Sequence, residues 1–194
     1  VGYSSSEISQ AIIETMVEID GGDPNKVKMM DVGWDLMPAI GTDNVDAITS
    51  AYRNHELVIL KKEGHDIEIM DPSDYGVPDS YELIIVTGEE TLKKKKPLFE
   101  KFWRALAKGQ KEVKENPEAG LQVLLDHEND SFPLDKEVEA ESLKVLVPLM
   151  EAENFSVGYQ EEESWEAIID WLVEKKIIKE KYDAKDAFEN IMLK

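Results

Sequence analysis

The segment Ser50-Ala51-Tyr52-Arg53-Asn54-His55-Glu56 gathers an aromatic ring, an amide and a carboxylate in one short stretch. Tyr52 and Glu56 are four residues apart and share a side if the stretch is helical. If it is extended, Tyr52, Asn54 and Glu56 share a side by alternation. Either geometry sets a stacking plane beside hydrogen-bonding groups. That combination suits a flat, nitrogen-rich heterocycle, whose ring stacks on Tyr and whose N–H groups donate to Glu and Asn. The same spacing also suits a plain helix start, with Asn54 capping and Glu56 complementing the helix dipole. In Tyr3-Ser4-Ser5-Ser6-Glu7, hydroxyls and backbone N–H groups could hold a polar or anionic ligand group. Ordinary capping of the following helix by Ser5 or Ser6 explains them equally well. Trp34, where a predicted strand meets a helix, is open to two roles, a core residue or a stacking wall.

Other chemistries are poorly supported. The chain has no cysteine, which removes disulfides, Cys-ligated metals and thiol catalysis. His55, His65 and His127 stand in no H-x-x-x-H or H-E-x-x-H arrangement, so no metal cofactor is expected. Neither the Walker nor the G-x-G-x-x-G fingerprint is present, and there is no G-x-S-x-G elbow. Asp126 to Glu137 imitates a calcium loop, but it lacks the glycine at its sixth place and contains Pro133, so it reads as an acidic solvated loop. Lys93 to Lys96 reads as the end of a short helix, where cations suit the dipole. With 22 Lys+Arg against 42 Asp+Glu, the net charge is −20, and such a surface repels nucleic-acid phosphates and anionic lipid.

The elements that must position these residues alternate in the first 80 residues. Val1–Tyr3 reads as a strand stub. Ile8, Ala11, Ile12, Thr15, Met16 and Ile19 fall at helical spacing, and Gly21-Gly22-Asp23-Pro24 ends that helix. Strands are predicted over Lys26–Val32, Val45–Tyr52 and Asp66–Met70, with helices over Asp35–Ile40 and Asn54–Gly64. Alternation of this kind predicts parallel βαβ units. After a turn cluster at Asp71–Pro78, Glu82–Thr87 is the most apolar strand candidate, expected to be central and buried on both faces. From Glu89 onward the pattern is helical. The stripe Leu98, Phe99, Phe102, Trp103, Leu106 and Ala107 comes first, then a break at Asn116-Pro117. Later helices are expected near Leu134–Glu151, Ser164–Lys175 and Ala184–Met192. These tail helices carry apolar stripes without an evident sheet to cover.

Several consecutive stretches carry a resemblance: VGYSSSEISQAIIETM, GGDPNKVKMMDVGWDLMPAI, VDAITSAYRNHELV, DYGVPDSYELIIVT and the ENPEAG break. Together they resemble the periplasmic-type substrate-binding proteins that capture the pyrimidine precursor of thiamine for ABC importers. The likeness covers essentially the whole chain. It implies an α/β type II periplasmic-binding-protein fold. Residues 1–80 would form the complete α/β lobe two, and residues 81–194 a hinge-crossing strand and helical tail of lobe one, whose N-terminal half is missing. It implies a non-enzymatic role and no cofactor. The aminopyrimidine would lie in an interlobe cleft and be delivered to ABC permease subunits. The family's Tyr-x-Asn-x-Glu group matches Tyr52, Asn54 and Glu56, and by resemblance Glu56 reads the aminopyrimidine edge; Trp34, Ser5 and Ser6 are the further candidate ligand-binding positions. Arg53 stands where an aromatic residue is expected. The resemblance also implies an extracytoplasmic protein, in the periplasm or lipid-anchored at the cell surface, whose signal and anchor are expected upstream of Val1. The wider superfamily keeps two alternatives open: a binder of another flat heterocycle such as riboflavin, and an enzyme like the eukaryotic thiamine-pyrimidine synthase. Self-association of the fragment through ELIIVT and the Phe99–Leu106 stripe is expected as well.

Overall fold

Gly2–Tyr3 (β1) is the middle strand of a small parallel sheet in the computed structural model, which describes residues 1–4, 6–131, 133–150 and 157–191. Its backbone groups alternate between two neighbours, as strand geometry requires. Val1 and Tyr3 bond to one side: Met30 N–H donates to Val1 O at 2.9 Å and Val32 N–H to Tyr3 O at 3.0 Å. Gly2 bonds to the other, donating to Ala47 O at 2.8 Å and accepting from Thr49 N–H at 3.0 Å. A Cβ on Gly2 would meet Val45 and Val32 methyls at 3.3 and 3.4 Å, with Ile48 as near. Glycine lets these side chains close over the strand.

Between β1 and the next strand lies α1 (Glu7–Ile19), with Ser6 as its extended N-cap residue. The residues it buries are Ser9, Ala11, Thr15 and Met16, while Ile8 and Ile19 at the ends of the expected stripe are exposed. The strand predicted over Lys26–Val32 is shorter than expected. Pro24–Lys26 is a 3₁₀ turn capped by Asp23, and regular pairing is confined to Met30–Asp31 (β2). Proline at the first position of that turn has no N–H to give a ladder. After α2 (Leu36–Gly41) the strand predicted over Val45–Tyr52 reduces to one parallel bridge, Ile48 to Gly2. Ser50, with φ +69°, turns the backbone out of the ladder. Helix α3 (Glu56–Lys62) follows where a helix was expected. Asp66–Met70 forms no ladder among the described residues, and Ile69 and Met70 are exposed.

The turn cluster holds a 3₁₀ turn, Pro72–Tyr75, ended by Gly76 at φ +83°. Glu82–Thr87 is a correction. It is neither a ladder strand nor buried: Leu83 is 91% exposed and Val86 81%. Its apolar run encodes a demand for cover, but no described strand lies alongside to take its N–H and C=O groups. Helix α4 (Glu89–Glu115) leaves helical geometry at Lys95, two residues before Pro97, as an internal proline requires. The lysine run thus straddles a helix break, where its expected helix end falls. Lys93 and Lys94 pair with Glu89 and Glu90 one turn back.

Asn116 ends α4 and caps α5 (Pro117–Asp126), its side chain accepting from Ala119 N–H at 3.2 Å. A Cβ on Gly120 would stand 2.9 Å from Val113, so glycine permits the close approach of α5 to α4. Helices α6 (Lys136–Leu149) and α7 (Glu162–Glu174) complete the helical elements. Of the predicted helix ends, Glu151 and Met192 lie outside the described residues. The helix expected from Ala184 is only a 3₁₀ turn, Ala184–Asp186. Downstream, the Asn190 side chain pairs with both backbone groups of Gln160, at 2.8 Å each, and holds that stretch out of a helix.

The molecule is thus mixed α/β, rich in helix, with a small sheet. It divides into two units, residues 1–80 with 162–187, and residues 81–161 with 188–194. In the first, Ala11, Met16, Val77 and Trp171 form the buried cluster, and Trp171 Nε1 donates to Thr15 Oγ1 at 3.3 Å. In the second, Val138 and Ser142 of α6 are buried, and Trp103 Nε1 donates to Val157 O at 2.8 Å.

Candidate functional site

The parallel order is Met30–Asp31, Gly2–Tyr3, then Ile48. The chain leaves the central strand for one neighbour, then crosses to the other side. The strand order therefore reverses beside β1. In open α/β sheets ligands bind outside the carboxyl ends of the strands at such a reversal. Three connections leave that edge: Ser4–Ser6 after β1, Val32–Asp35 after β2, and Thr49–His55 after the bridge. The topology thus brings Ser6, Trp34 and the Tyr52–Glu56 stretch to the same edge of one sheet. Ser5 lies on the first of these connections but outside the described residues.

Residues 50–56 form a turn into α3 rather than a continuing strand, which settles how the three key residues are related. His55 N–H donates to Tyr52 O at 3.2 Å and Leu57 N–H to the same oxygen at 3.3 Å. Strand alternation of Tyr52, Asn54 and Glu56 is therefore not realised. Nor is Tyr52 helical, since α3 begins at Glu56; the two residues are linked instead through the backbone, where Glu56 Oε2 accepts the Tyr52 N–H at 2.8 Å. His55, not Asn54, occupies the N-cap position, with no side-chain capping bond. The other Glu56 oxygen is 3.6 Å from His55 Nδ1, and the Glu56 side chain is 19% exposed. One backbone N–H fixes the carboxylate, whose acceptor capacity exceeds that single bond. Tyr52 remains 41% exposed.

Trp34 is 93% exposed, which removes the core reading. It sits on a turn where Gly33, at φ +56°, donates its N–H to Asp31 Oδ1 at 3.0 Å. Ser6 takes the N-cap position of α1 without a side-chain capping bond. Some contributors were not evident from the motif. Ser9 Oγ lies 3.1 Å from Ser50 Oγ and ties the start of α1 to the turn. Gln10 Nε2 donates to Tyr3 Oη at 3.0 Å at the end of β1. The positive φ of Ser50 carries no sequence signal, since serine gives no more hint of it than many residues. Arg53 forms an ion pair with Asp71, eighteen positions on. Burial raises the Asp71 carboxyl, but hydrogen bonds from Arg53 and Ser73, with the guanidinium charge, reverse this and hold it below its ordinary value.

In the acidic 126–137 stretch, Asn129, Glu128 and Asp135 accept backbone N–H groups, while Asp126 accepts from the Gln122 side chain. Asp135 caps α6 through Glu137 and Val138 N–H, and Glu128 Oε2 accepts Leu134 N–H at 3.0 Å. Among the described residues no group of His, Asp and Glu could hold a metal ion. No helix among them is long and apolar enough to cross a membrane.

A family model described as "NMT1/THI5 like" matches residues 1–120. A formylaminopyrimidine-binding protein of Halalkalibacterium halodurans is 42% identical over 192 residues, which is 98% of this chain and 58% of that protein. A Haemophilus influenzae protein named for thiamine biosynthesis is 32% identical over 127 residues, 66% of this chain and 40% of that protein. The chain thus spans less than two thirds of the length of either relative. The matched residues 1–120 include the whole sheet edge described above, and on that match the chain belongs to the NMT1/THI5-like family.

Proposed function

We propose that this chain is part of the extracytoplasmic solute-binding component of an ABC importer, binding an aminopyrimidine precursor of thiamine without chemically altering it. The observation that carries the reading is the 42% identity, along 98% of the chain, to a protein named for binding formylaminopyrimidine. The geometry is consistent with it. An exposed indole, an exposed phenol ring and a carboxylate stand on connections that leave one sheet edge at a strand-order reversal. Such a set can stack on a flat ring and accept from its amine and ring N–H. In this reading residues 1–80 belong to lobe two of a type II binding protein, and their sheet edge is one wall of its cleft. The site residues are Glu56, Tyr52, Asn54, Trp34, Ser5 and Ser6.

Glu56→Gln tests the reading cleanly, because the glutamine carbonyl can still accept the Tyr52 N–H. Loss of the charge-assisted bond to the ligand should cost about 2–3 kcal/mol, or roughly 30- to 150-fold in affinity. The measurement is calorimetric titration of wild type and variant, each as the full-length protein that carries both walls of the cleft, with formylaminopyrimidine, and with riboflavin as the competing flat heterocycle. Affinity of the variant within about threefold of wild type would remove Glu56 from the site. Binding of riboflavin in preference to the pyrimidine would replace the proposed ligand class.

A further inference from the structure

The 50–56 turn closes on itself through the Tyr52 carbonyl and the Glu56 carboxylate. Two side-chain bonds also reach it from distant parts of the chain. One is the Ser9–Ser50 contact. The other is the Arg53 guanidinium on Asp71 Oδ2. Asp71 is itself tied down, because its other oxygen, Oδ1, accepts Ser73 N–H at 3.3 Å and Ser73 Oγ–H at 3.1 Å and so caps the Pro72–Tyr75 turn. That turn closes with Val77 N–H donating to Pro72 O at 3.2 Å. Val77 is buried against Ala11, Met16 and Trp171. A continuous path thus runs from the turn carrying Tyr52, Asn54 and Glu56, through one carboxylate, to the core of the first unit.

We infer that Arg53 is a positioning residue whose bond to Asp71 fixes this turn to the core, and that it does not contact the ligand itself. The inference rests on the binding reading for its consequence, while the tether can be measured without any ligand. Arginine suits the task because its planar fork presents donors in a fixed geometry, which the single ammonium of lysine cannot reproduce. Both side chains are partly exposed, at 42% and 35%, so the tether is a moderate restraint.

The test compares amide hydrogen exchange at residues 52–57 in wild type, Arg53→Met, Asp71→Asn, the double variant and Arg53→Lys, alongside calorimetry with formylaminopyrimidine. Asp71→Asn retains an oxygen to cap Ser73, so it isolates the bond to Arg53. Each single variant should speed exchange in the turn about fivefold, the scale of one partly exposed charge-assisted bond. The double variant should go no faster than either single, and Arg53→Lys should fall between. Exchange in α1 should stay unchanged, and pyrimidine affinity should fall by a similar factor. Exchange in Arg53→Met within twofold of wild type, or additive effects in the double variant, would overturn the tether. Faster exchange with unaltered affinity would overturn its positioning role. If the full-length wild type takes up no formylaminopyrimidine, the binding reading fails and the exchange rates alone decide the tether.

Discussion

At Asp71, donors from two parts of the chain meet one carboxylate, and this sets how the tether responds to acid. Its carboxyl lies below its ordinary value of 3.8. A native value lower than the unfolded one means that the unfolded chain binds the proton more readily. Stability from Asp71 is therefore complete above the unfolded value and disappears as pH falls through the native one. Comparison with Asp71→Asn isolates this contribution from the other acidic groups. The gap between their urea midpoints should be constant from neutral pH down to about 5 and then shrink as pH drops below 3.8. A gap that widened in acid would contradict the sign. Part of this residue-scale picture was legible in the sequence. Tyr52 and Glu56 sit four apart, and a carboxylate in the first turn of a helix has a physical reason to be there. The bond between Glu56 and the Tyr52 amide was not legible, because it needs the turn geometry of residues 50–56, and the left-handed backbone at Ser50 leaves no mark on composition. Nor was the Arg53–Asp71 pair, since local patterns say nothing of which distant carboxylate a guanidinium will find.

Elements with internal bonding were readable, and those that need a distant partner were not. Helices α1, α3, α4 and α5 follow from spacing, from Gly21-Gly22 and from Asn116-Pro117, all features within the element. The strands failed in proportion to their dependence on others. Lys26–Val32 and Val45–Tyr52 each bond to β1 over a shorter span than expected, and Glu82–Thr87 meets no described strand at all. An apolar run states that a segment needs cover, and only the tertiary structure supplies the neighbour. The same non-locality governs α7. Its Trp171 is 6% exposed and bonds to Thr15, 156 positions earlier, a pairing that no window of sequence contains. Trp171→Ala should therefore unfold the first unit readily, costing about 3–5 kcal/mol from lost burial and the cavity left behind. Trp171→Phe should cost less, since it keeps most of the apolar contact and loses the Thr15 bond. Thermal and urea denaturation check both, and an alanine variant within about 1 kcal/mol of wild type would show that α7 contributes little to this core.

At the scale of the whole molecule, two properties oppose each other. The net charge of −20 drives copies apart. Against it, the second unit exposes Leu83 and Val86 on a segment without regular secondary structure, and Leu98, Phe102 and Leu106 on α4, at 60, 52 and 43% for the helix residues. An exposed apolar segment outside any ladder can pair with a neighbouring chain, and a broad apolar helix face can be covered by a like face. Which effect wins depends on salt. The repulsion acts over a Debye length of about 10 Å at 0.1 M salt and about 3 Å at 1 M, whereas apolar burial is not screened. The chain should therefore be monomeric at low salt and associate as salt and concentration rise, which static light scattering reads directly. Nucleic-acid or anionic-lipid attachment would show the reverse trend, weakening with salt. Leu83→Lys together with Val86→Lys adds positive charge and so lowers the repulsion, yet it removes the apolar segment. If that segment drives association, the double variant should associate less than wild type at high salt. Association equal to or greater than wild type would place the contact elsewhere, and a wild-type chain that stayed monomeric at high salt and high concentration would show that neither surface seeks a partner.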